Sequence, residues 1–264
     1  APDALHALEP LVHRGAVDAD STVVLLQNGV LGLHEHLVAR LPKASLPRFV
    51  LAASTHGAAK PDRDRLAVRL HGSSGETLFG RPLSDSTDSD SDNDFLRAIS
   101  CLSANPFRLA TVPPRTLHAQ LLLKLATNCA LNPLTAVFNA RNGQIARNPN
   151  AQSLIHAICC EIVSLPAFHP LFPSTTPLST EPSTNANASA LMNHVLAVAN
   201  ATSENHNSMD VDVVNSVETE INFLNAYLLR LARESRLSMP LNKAFVDLVA
   251  LKLALNRAKR DNLK

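Results

Sequence analysis

Glycine is scarce in this sequence, and its scarcity excludes a large class of phosphate-binding sites. Only 8 of the 264 residues are glycine, about 3% where globular proteins average about 7%. No G-x-G-x-x-G, Walker-type or G-x-S-x-G pattern occurs. We therefore expect neither a glycine-rich phosphate cradle nor a nucleophile elbow within these residues.

Cysteine is also limited, and no charge of one sign dominates. The four cysteines, at 101, 129, 159 and 160, are too irregular for a disulfide framework, and neither they nor the histidines have the spacing of a metal site. We expect reduced, mostly buried thiols in a reducing compartment and no bound metal. With 24 Lys and Arg against 23 Asp and Glu, the balanced charge argues against binding of nucleic acid through its phosphates.

Long apolar runs are missing too. Stretches such as 23–26 and 121–123 fall far short of the ~18 residues of a membrane span, so no membrane segment is predicted. The chain has 45% hydrophobic residues and a mean hydropathy of +0.02, which is typical of a globular protein. Its length suits one large domain or two modest ones.

The hydrophobic period changes at Pro113. Before it, short apolar runs alternate with helical segments, which predicts βα units and a parallel or mixed sheet; after it, the pattern is helical throughout. We therefore predict an α/β domain over 1–112 and an all-α domain over 113–264. Strands are expected at 22–26, 49–53, 66–70 and 107–112, and helices at 4–12, 31–41, 115–131, 150–165, 188–199, 210–235 and 242–259. Two aperiodic stretches are expected to be loops: the acidic, Ser-rich 84–94 and the Pro/Ser/Thr-rich 172–188.

One helical segment carries an unusual polar row. Lys124, Asn128 and Asn132 are spaced i, i+4, i+8 among apolar residues, so they share one face of the helix. A buried polar group without a hydrogen bond costs about 1 to 3 kcal/mol, so the row either pairs internally or faces a polar ligand. The alternative, a solvent-facing stripe, would expose two amides of poor helix propensity.

Other polar residues could join this row. Asn142 and the next glycine form a turn that can return an amide to the same place, although a turn alone explains them. Ser208 fits the N-cap of a long helix, where free N–H groups also bind carboxylates. Glu220, twelve residues later, would project from roughly the same side of that helix, with an ordinary surface carboxylate as the alternative. Asn28 and the segment 54–58 follow strands, where open α/β sheets bind ligands.

Taken in order, these segments resemble the ketopantoate reductase (2-dehydropantoate 2-reductase) family. The matching blocks are VVLLQNGV (23–30), STHGA (54–58), KLATNCALNPLTAVFNARNG (124–143), NHNSM (205–209), TEINFLN (219–225) and MPLN (239–242). The resemblance implies a partial dinucleotide-binding, Rossmann-like domain over 1–112. It also implies a helical C-terminal substrate and dimerisation domain over 113–264.

The resemblance further implies NADPH-dependent reduction of 2-dehydropantoate to pantoate in pantothenate and coenzyme A biosynthesis. Lys124 matches the family's proton donor to the carbonyl oxygen, and a 2-keto acid needs such an acid beside amide donors. The other matching positions are those that bind substrate (Asn28, Asn128, Asn132, Asn142 and Ser208) and those that contact the cofactor (Asn28, Ala58 and Glu220). We expect a cytoplasmic protein, with a mitochondrial location left open, and a homodimer is one expected state.

The sequence also departs from the family pattern. The opening strand and G-x-G-x-x-G loop of the family have no counterpart here, so we expect an incomplete or degenerate member that binds NADPH poorly on its own. Asn207 stands where serine is usual. Two alternatives to the leading hypothesis are a non-catalytic helical binding or dimerisation module derived from the family, and a reductase for another 2-keto acid.

Overall fold

The computed structural model of the chain describes residues 2–59, 69–71, 75–83, 94–101, 108–172 and 184–262. The described strands are β1 Thr22–Leu25, β2 Arg48–Ser54, β3 Gly57–Ala59, β4 Arg69–His71, β5 Thr77–Gly80 and β6 Leu109–Thr111. The described α-helices are α1 Pro2–His13, α2 Val30–Arg40, α3 Asp94–Cys101, α4 Pro114–Phe138, α5 Asn142–Arg147, α6 Pro149–Val163, α7 Thr184–Ala201, α8 Ser208–Val214, α9 Asn225–Glu234 and α10 Pro240–Asp261. Short 3-10 helices cover Lys43–Ser45, Pro166–Leu171 and Glu220–Phe223.

The chain forms two compact units. One comprises Ala4–Leu121, and the other comprises Leu122–Lys264 together with Ala1–Asp3. All described strands lie in the first unit, and the regular elements among the described residues of the second are all helices. The predicted order of an α/β part followed by an all-α part is therefore confirmed. The assignment of 1–112 to cofactor binding and of 113–264 to substrate binding stays a prediction.

The sheet of the first unit is mixed. Its strand order is β1-β2-β5-β6, with parallel pairs at both ends and an antiparallel pair in the middle. Val50 and Ala52 of β2 pack with Phe79 of β5 and with Leu96 and Ile99 of α3 to form its core. The predicted strand at 66–70 lies partly outside the described residues, and its described end pairs in a separate two-stranded ladder of β3 with β4.

The sequence pattern failed to predict β5 and α3. The strand β5 has only four residues and ends in Gly80, so it lacks the apolar run by which the other strands were predicted. A Cβ on Gly80 would lie 2.8 Å from the carbonyl oxygen of Val112. Glycine is thus required there by close packing, and no local pattern in the sequence indicates it. Of the predicted acidic loop, residues 84–93 lie outside the described residues, whereas Asp94 begins α3.

The helix α4, which runs from the first unit into the second, is longer than predicted. The predicted helix ends at Leu131, and a proline inside a helix removes one hydrogen bond. The helix α4 instead continues through Pro133 to Phe138. Lys252 of α10 donates a hydrogen bond of 2.6 Å to the carbonyl of Val137 and so satisfies an acceptor in its last turn.

The predicted helix over 210–235 is wrong. The structure has α8 ending at Val214, a 3-10 helix from Glu220, and α9 starting at Asn225. The side chain and the backbone N–H of Asn215 both donate to the carbonyl of Val211 at the end of α8, and Ser216 has a left-handed φ of 59°. Glu220 is therefore not on the same helix as Ser208. The predicted loop over 172–188 is also too long, since α7 starts at Thr184, and residues 173–183 lie outside the described residues.

Two further expectations concern burial. The helix α4 is long and apolar enough to cross a membrane by length and composition, but 72% of its most apolar window is buried inside the protein.

All four cysteines are free, with two buried, one half-buried and Cys101 exposed. Burial raises the pKa of the Cys159 thiol to about 12, and the pKa of Cys129 also lies well above its ordinary value. These two thiols therefore stay protonated and pack as small apolar groups.

Candidate active site

The predicted polar row lies on α4. Lys124, Asn128 and Asn132 all fall within this helix at the spacing that aligns them on one face. Asn132 is buried at 5% exposure, and Lys124 and Asn128 are half-buried. Within the described ranges, the side-chain amides of Asn128 and Asn132 hydrogen-bond to no other residue. Two largely covered amides thus keep donors and acceptors for a ligand.

Lys124 is half-buried and has an acid nearby. Burial lowers the pKa of its ammonium group, and the charge of Glu220 opposes that shift. A lysine with a lowered pKa is a stronger proton donor than a solvated one, and the carboxylate keeps it protonated. The pair therefore has the properties of a general acid held in its charged form.

Asp212 joins this pair, and sequence reasoning missed it. Burial and the charge of Glu220 raise the pKa of the Asp212 carboxyl to about 6. Lys124, Asp212 and Glu220 are therefore electrostatically linked through Glu220. The one available signal was its position four residues after Ser208, one helical turn along α8. Glu220 itself begins a 3-10 helix whose N-cap is Thr219.

Asn142 is the first residue of α5, and a tight contact fixes its position. Its backbone N–H donates to the carbonyl of Asn205 at 3.1 Å, and the Gly143 N–H donates to the carbonyl of Ser203 at 3.0 Å. A Cβ on Gly143 would come within 2.7 Å of the Ser203 side chain, so glycine is needed there. The Asn142 Nδ2 donates to the Thr202 hydroxyl at 2.8 Å. Its Oδ1 is buried and has no partner in the described part of the chain, so it can accept a hydrogen bond from a ligand.

Ser208 is the first residue of α8, and its predicted role as N-cap is wrong. The N-cap is Asn207, whose backbone is extended and whose Oδ1 accepts from the Asp210 N–H at 3.1 Å. Asparagine caps helices as well as serine does. The Ser208 hydroxyl, at an exposed residue, is therefore not used for capping.

Asn28 and Ala58 lie in the α/β unit, whereas the other six predicted site residues lie in the helical unit. Asn28 is half-buried and comes just before Gly29. Gly29 is the N-cap of α2 and has a left-handed φ of 67°. Because β1 and β2 are parallel, their carboxyl ends lie at the same edge of the sheet. Ala58 is in β3, which follows the end of β2. Both residues thus follow strand ends, where open α/β sheets bind ligands.

The profile described as "Ketopantoate reductase PanE/ApbA C terminal" matches residues 116–253, just over half of the chain. The chain belongs to the ketopantoate reductase family. The matched range includes every predicted site residue of the helical unit, from Lys124 to Glu220. The family resemblance inferred from the sequence is thereby confirmed.

Curated relatives in this family extend beyond the chain. The chain is 28% identical over 235 residues to the 2-dehydropantoate 2-reductase of Escherichia coli O157:H7, a match of 87% of this chain and 65% of that protein. The enzyme of the same name from Vibrio cholerae serotype O1 is 28% identical over 242 residues, with 90% of this chain and 70% of that protein covered. The chain thus spans about two thirds of the length of these ketopantoate reductases.

Solved structures show the same fold. The ternary structure of D-mandelate dehydrogenase with NADH and anilino(oxo)acetate matches with a TM-score of 0.72 at 17% identity, covering 95% of this chain and 74% of that one. A PanE/ApbA family ketopantoate reductase from Ralstonia eutropha JMP134 matches with a TM-score of 0.63 at 16% identity, covering 92% and 78%. The fold of this chain, a partial Rossmann-like domain followed by an all-helical domain, is the one predicted from the sequence.

Proposed function

We propose that this chain takes part in the NADPH-dependent reduction of 2-dehydropantoate to pantoate. The observation that carries the proposal is the Lys124 ammonium, acidified by burial and kept charged by Glu220, at one end of a row of covered amides. The names of the curated relatives support the same reaction. Hydride addition to a keto carbon creates an alkoxide, and Lys124 is the residue that would protonate it.

The remaining polar residues suit the substrate. A 2-keto acid carries a carboxylate and a carbonyl that need hydrogen-bond donors, which the amides of Asn128 and Asn132 can supply. The unpartnered Asn142 Oδ1 can accept from a substrate hydroxyl. The Ser208 hydroxyl, released from capping by Asn207, can donate to the substrate carboxylate. Each role uses a polar group that makes no hydrogen bond to the described residues of the helical unit.

We place a nicotinamide cofactor at the carboxyl ends of β1 and β2. Asn28 and Ala58 follow these ends, and we infer that they contact the cofactor. When bound, NADPH would supply the hydride. The D-mandelate dehydrogenase neighbour is a complex with NADH, so the preference for NADPH is part of the proposal.

We further assign residues 1–112 to cofactor binding and 113–264 to substrate binding and dimerisation. A neighbouring structure with a TM-score of 0.59 at 14% identity is described as a dimeric ketopantoate reductase from Staphylococcus aureus. That description makes a homodimer the assembly to test by light scattering. Free thiols and soluble small-molecule substrates suit the cytoplasm.

The test is the kinetics of the full-length protein with NADPH and a panel of 2-keto acids that includes 2-dehydropantoate. Lys124→Met should lower kcat by roughly 10² to 10⁴, the range for loss of a general acid, with a smaller effect on NADPH affinity. Lys243→Met, which removes a surface lysine paired with Asp247, is the matched control and should retain activity. Retention of kcat in Lys124→Met would overturn the role of Lys124. A wild-type protein inactive on the whole panel would favour the non-catalytic module instead.

A further inference from the structure

A chain of hydrogen bonds joins the start of α8 to the turn of α4 that carries Asn132. The Asn207 Oδ1 accepts from the Asp210 N–H at 3.1 Å, and the Asn207 Nδ2 donates to the Thr135 hydroxyl. The Thr135 hydroxyl in turn donates to the backbone carbonyl of Asn132 at 2.9 Å. Both ends of one amide are therefore engaged, one on each helix.

The donors and acceptors of this chain are mutually consistent. A threonine hydroxyl has one hydrogen, and Thr135 uses it on the Asn132 carbonyl, so it can only accept from Asn207. Asn207 must then turn its oxygen to the Asp210 N–H, which is the orientation that capping requires. Thr135 is fully buried, so bulk solvent does not reach its hydroxyl to replace Asn207 as a donor.

A second contact holds the residue that precedes Asn207. The Nδ1 of His206 lies 2.5 Å from the Oδ2 of Asp210, whose carboxylate is 2% exposed. Since Asp210 also donates its N–H to Asn207, the segment from His206 to Asp210 is fixed at both ends of its first turn. Ser208 lies inside this segment and takes its position from it.

We propose that Asn207 is a positioning residue that holds the Ser208 hydroxyl at a fixed spacing from Asn132. The proposal rests on the proposed function, because it takes Ser208 and Asn132 to bind the keto acid. Neither the substrate nor the cofactor is contacted by Asn207 in this scheme; it acts through Thr135 and through the first turn of α8. A serine at 207 could cap α8, but its single hydroxyl lacks the separate NH2 group that Asn207 donates to Thr135.

The variants that test this remove the link while leaving the cap. Asn207→Asp keeps the capping oxygen but loses the Nδ2 donor, and Thr135→Val removes the hydroxyl without adding charge. In the full-length protein, each should raise KM for 2-dehydropantoate about tenfold with kcat nearly unchanged, and the double variant should be no worse than either single one. Thr135→Ser, which keeps the hydroxyl, should retain the wild-type KM. Asn200→Asp on the exposed face of α7 controls for the added charge.

A merely structural role for the link predicts something else. The thermal midpoint would fall in both Asn207→Asp and Thr135→Val while KM stayed at the wild-type value, and that result would overturn the proposal. An additive double variant would overturn it too, because the two residues would then act independently. Activity of the wild type on 2-dehydropantoate separates failure of the positioning role from failure of the proposed function. An active wild type with unaffected variants removes only the positioning role, whereas an inactive one removes the proposed function as well.

Discussion

The side-chain amide of Asn225 donates a hydrogen bond of 3.0 Å to the backbone carbonyl of Cys129. In an unbroken helix, that carbonyl would accept from the N–H of residue 133, which is a proline here. Asn225 therefore replaces the donor that Pro133 lacks, and it does so from α9, 96 residues along the chain. The helix α4 carries Lys124, Asn128 and Asn132. The hydrogen bond from Asn225 therefore keeps this helix continuous through and beyond the end of the polar row.

The same amide leads into a buried polar network. Asn225 Nδ2 also donates to Asn242 Oδ1 at 2.9 Å, and Asn242 Nδ2 donates to the Glu161 carboxylate at 2.8 Å. Glu161 accepts from the backbone N–H groups of Leu241 and Asn242 as well. These two N–H groups belong to the first turn of α10, where a helix has unsatisfied donors and favours a negative charge. The network thus ties α4, α6, α9 and α10 together.

The first prediction concerns Asn225 and Pro133. Asn225→Leu should lower the free energy of unfolding by about 1 to 3 kcal/mol, because the buried Cys129 carbonyl loses its donor. In a Pro133→Ala background, the residue 133 N–H can reach that carbonyl, so the same change should cost less. Urea denaturation of the four proteins of this cycle measures the difference. Equal costs in both backgrounds would show that Asn225 does not compensate for the proline.

The polar row could be predicted from the sequence because it depends on local spacing alone. Lys124, Asn128 and Asn132 needed only the helical period, and that period is strong in an apolar segment. The end of α4 could not be predicted in this way. Its extension past Pro133 depends on Asn225, which is distant in sequence, and a tertiary contact of that kind overrides a local helix-breaking residue.

The prediction of one continuous helix over 210–235, across the break between α8 and α9, failed for a different reason. Val211 to Val217 keeps apolar residues at spacings that a helix allows, so the hydrophobic pattern runs on. The left-handed Ser216 stops the helix locally, and no pattern in the apolar residues reports it. Asp212 escaped detection for a related reason, since its raised pKa comes from burial and from Glu220 on the far side of that break.

The second prediction is a pH dependence of stability that Asp212 causes. Its pKa of about 6 in the folded chain exceeds its ordinary value of 3.8, so the folded state binds more protons than the unfolded state between these two values. Stability should therefore fall as the pH rises from about 4 to about 6 and then level off. Asp212→Asn should flatten that part of the curve and make the chain more stable than wild type at neutral pH.

Denaturation midpoints across this pH range test the second prediction. Asp247→Asn, which changes a surface aspartate paired with Lys243, is the control and should keep the slope of the wild type. Should Asp212→Asn retain that slope, another group must cause it.

The third prediction concerns the influence of Glu220 on Lys124. Burial lowers the pKa of Lys124 and Glu220 raises it, so Glu220→Gln should let this pKa fall further. Activity that needs the protonated lysine is lost as the pH rises through its pKa. The alkaline limb of the kcat profile should therefore shift to lower pH in Glu220→Gln. Glu218→Gln removes an exposed carboxylate two residues away, paired with Arg257, and should leave that limb in place; an unmoved limb in both variants contradicts the coupling.

The last prediction separates substrate binding from stability in the helical unit. Asn132→Ala should lower kcat/KM for 2-dehydropantoate by an amount worth about 1 to 3 kcal/mol, as expected when one covered hydrogen-bond partner is lost, with little change in NADPH affinity or thermal midpoint. Ser208→Ala should behave in the same way, because Asn207 and not Ser208 caps α8. Asn148→Ala is the matched control, for which we expect a loss of stability and no change in substrate binding.

The Asn148 side chain caps α6 through the N–H groups of Asn150 and Ala151, so its loss should cost about 1 kcal/mol of stability without raising KM. Michaelis kinetics and thermal denaturation on all three variants distinguish the cases. If Asn132→Ala and Ser208→Ala instead resemble Asn148→Ala, with a lower midpoint and an unchanged KM, these residues serve the fold. The row on α4 would then have no part in recognition of the keto acid.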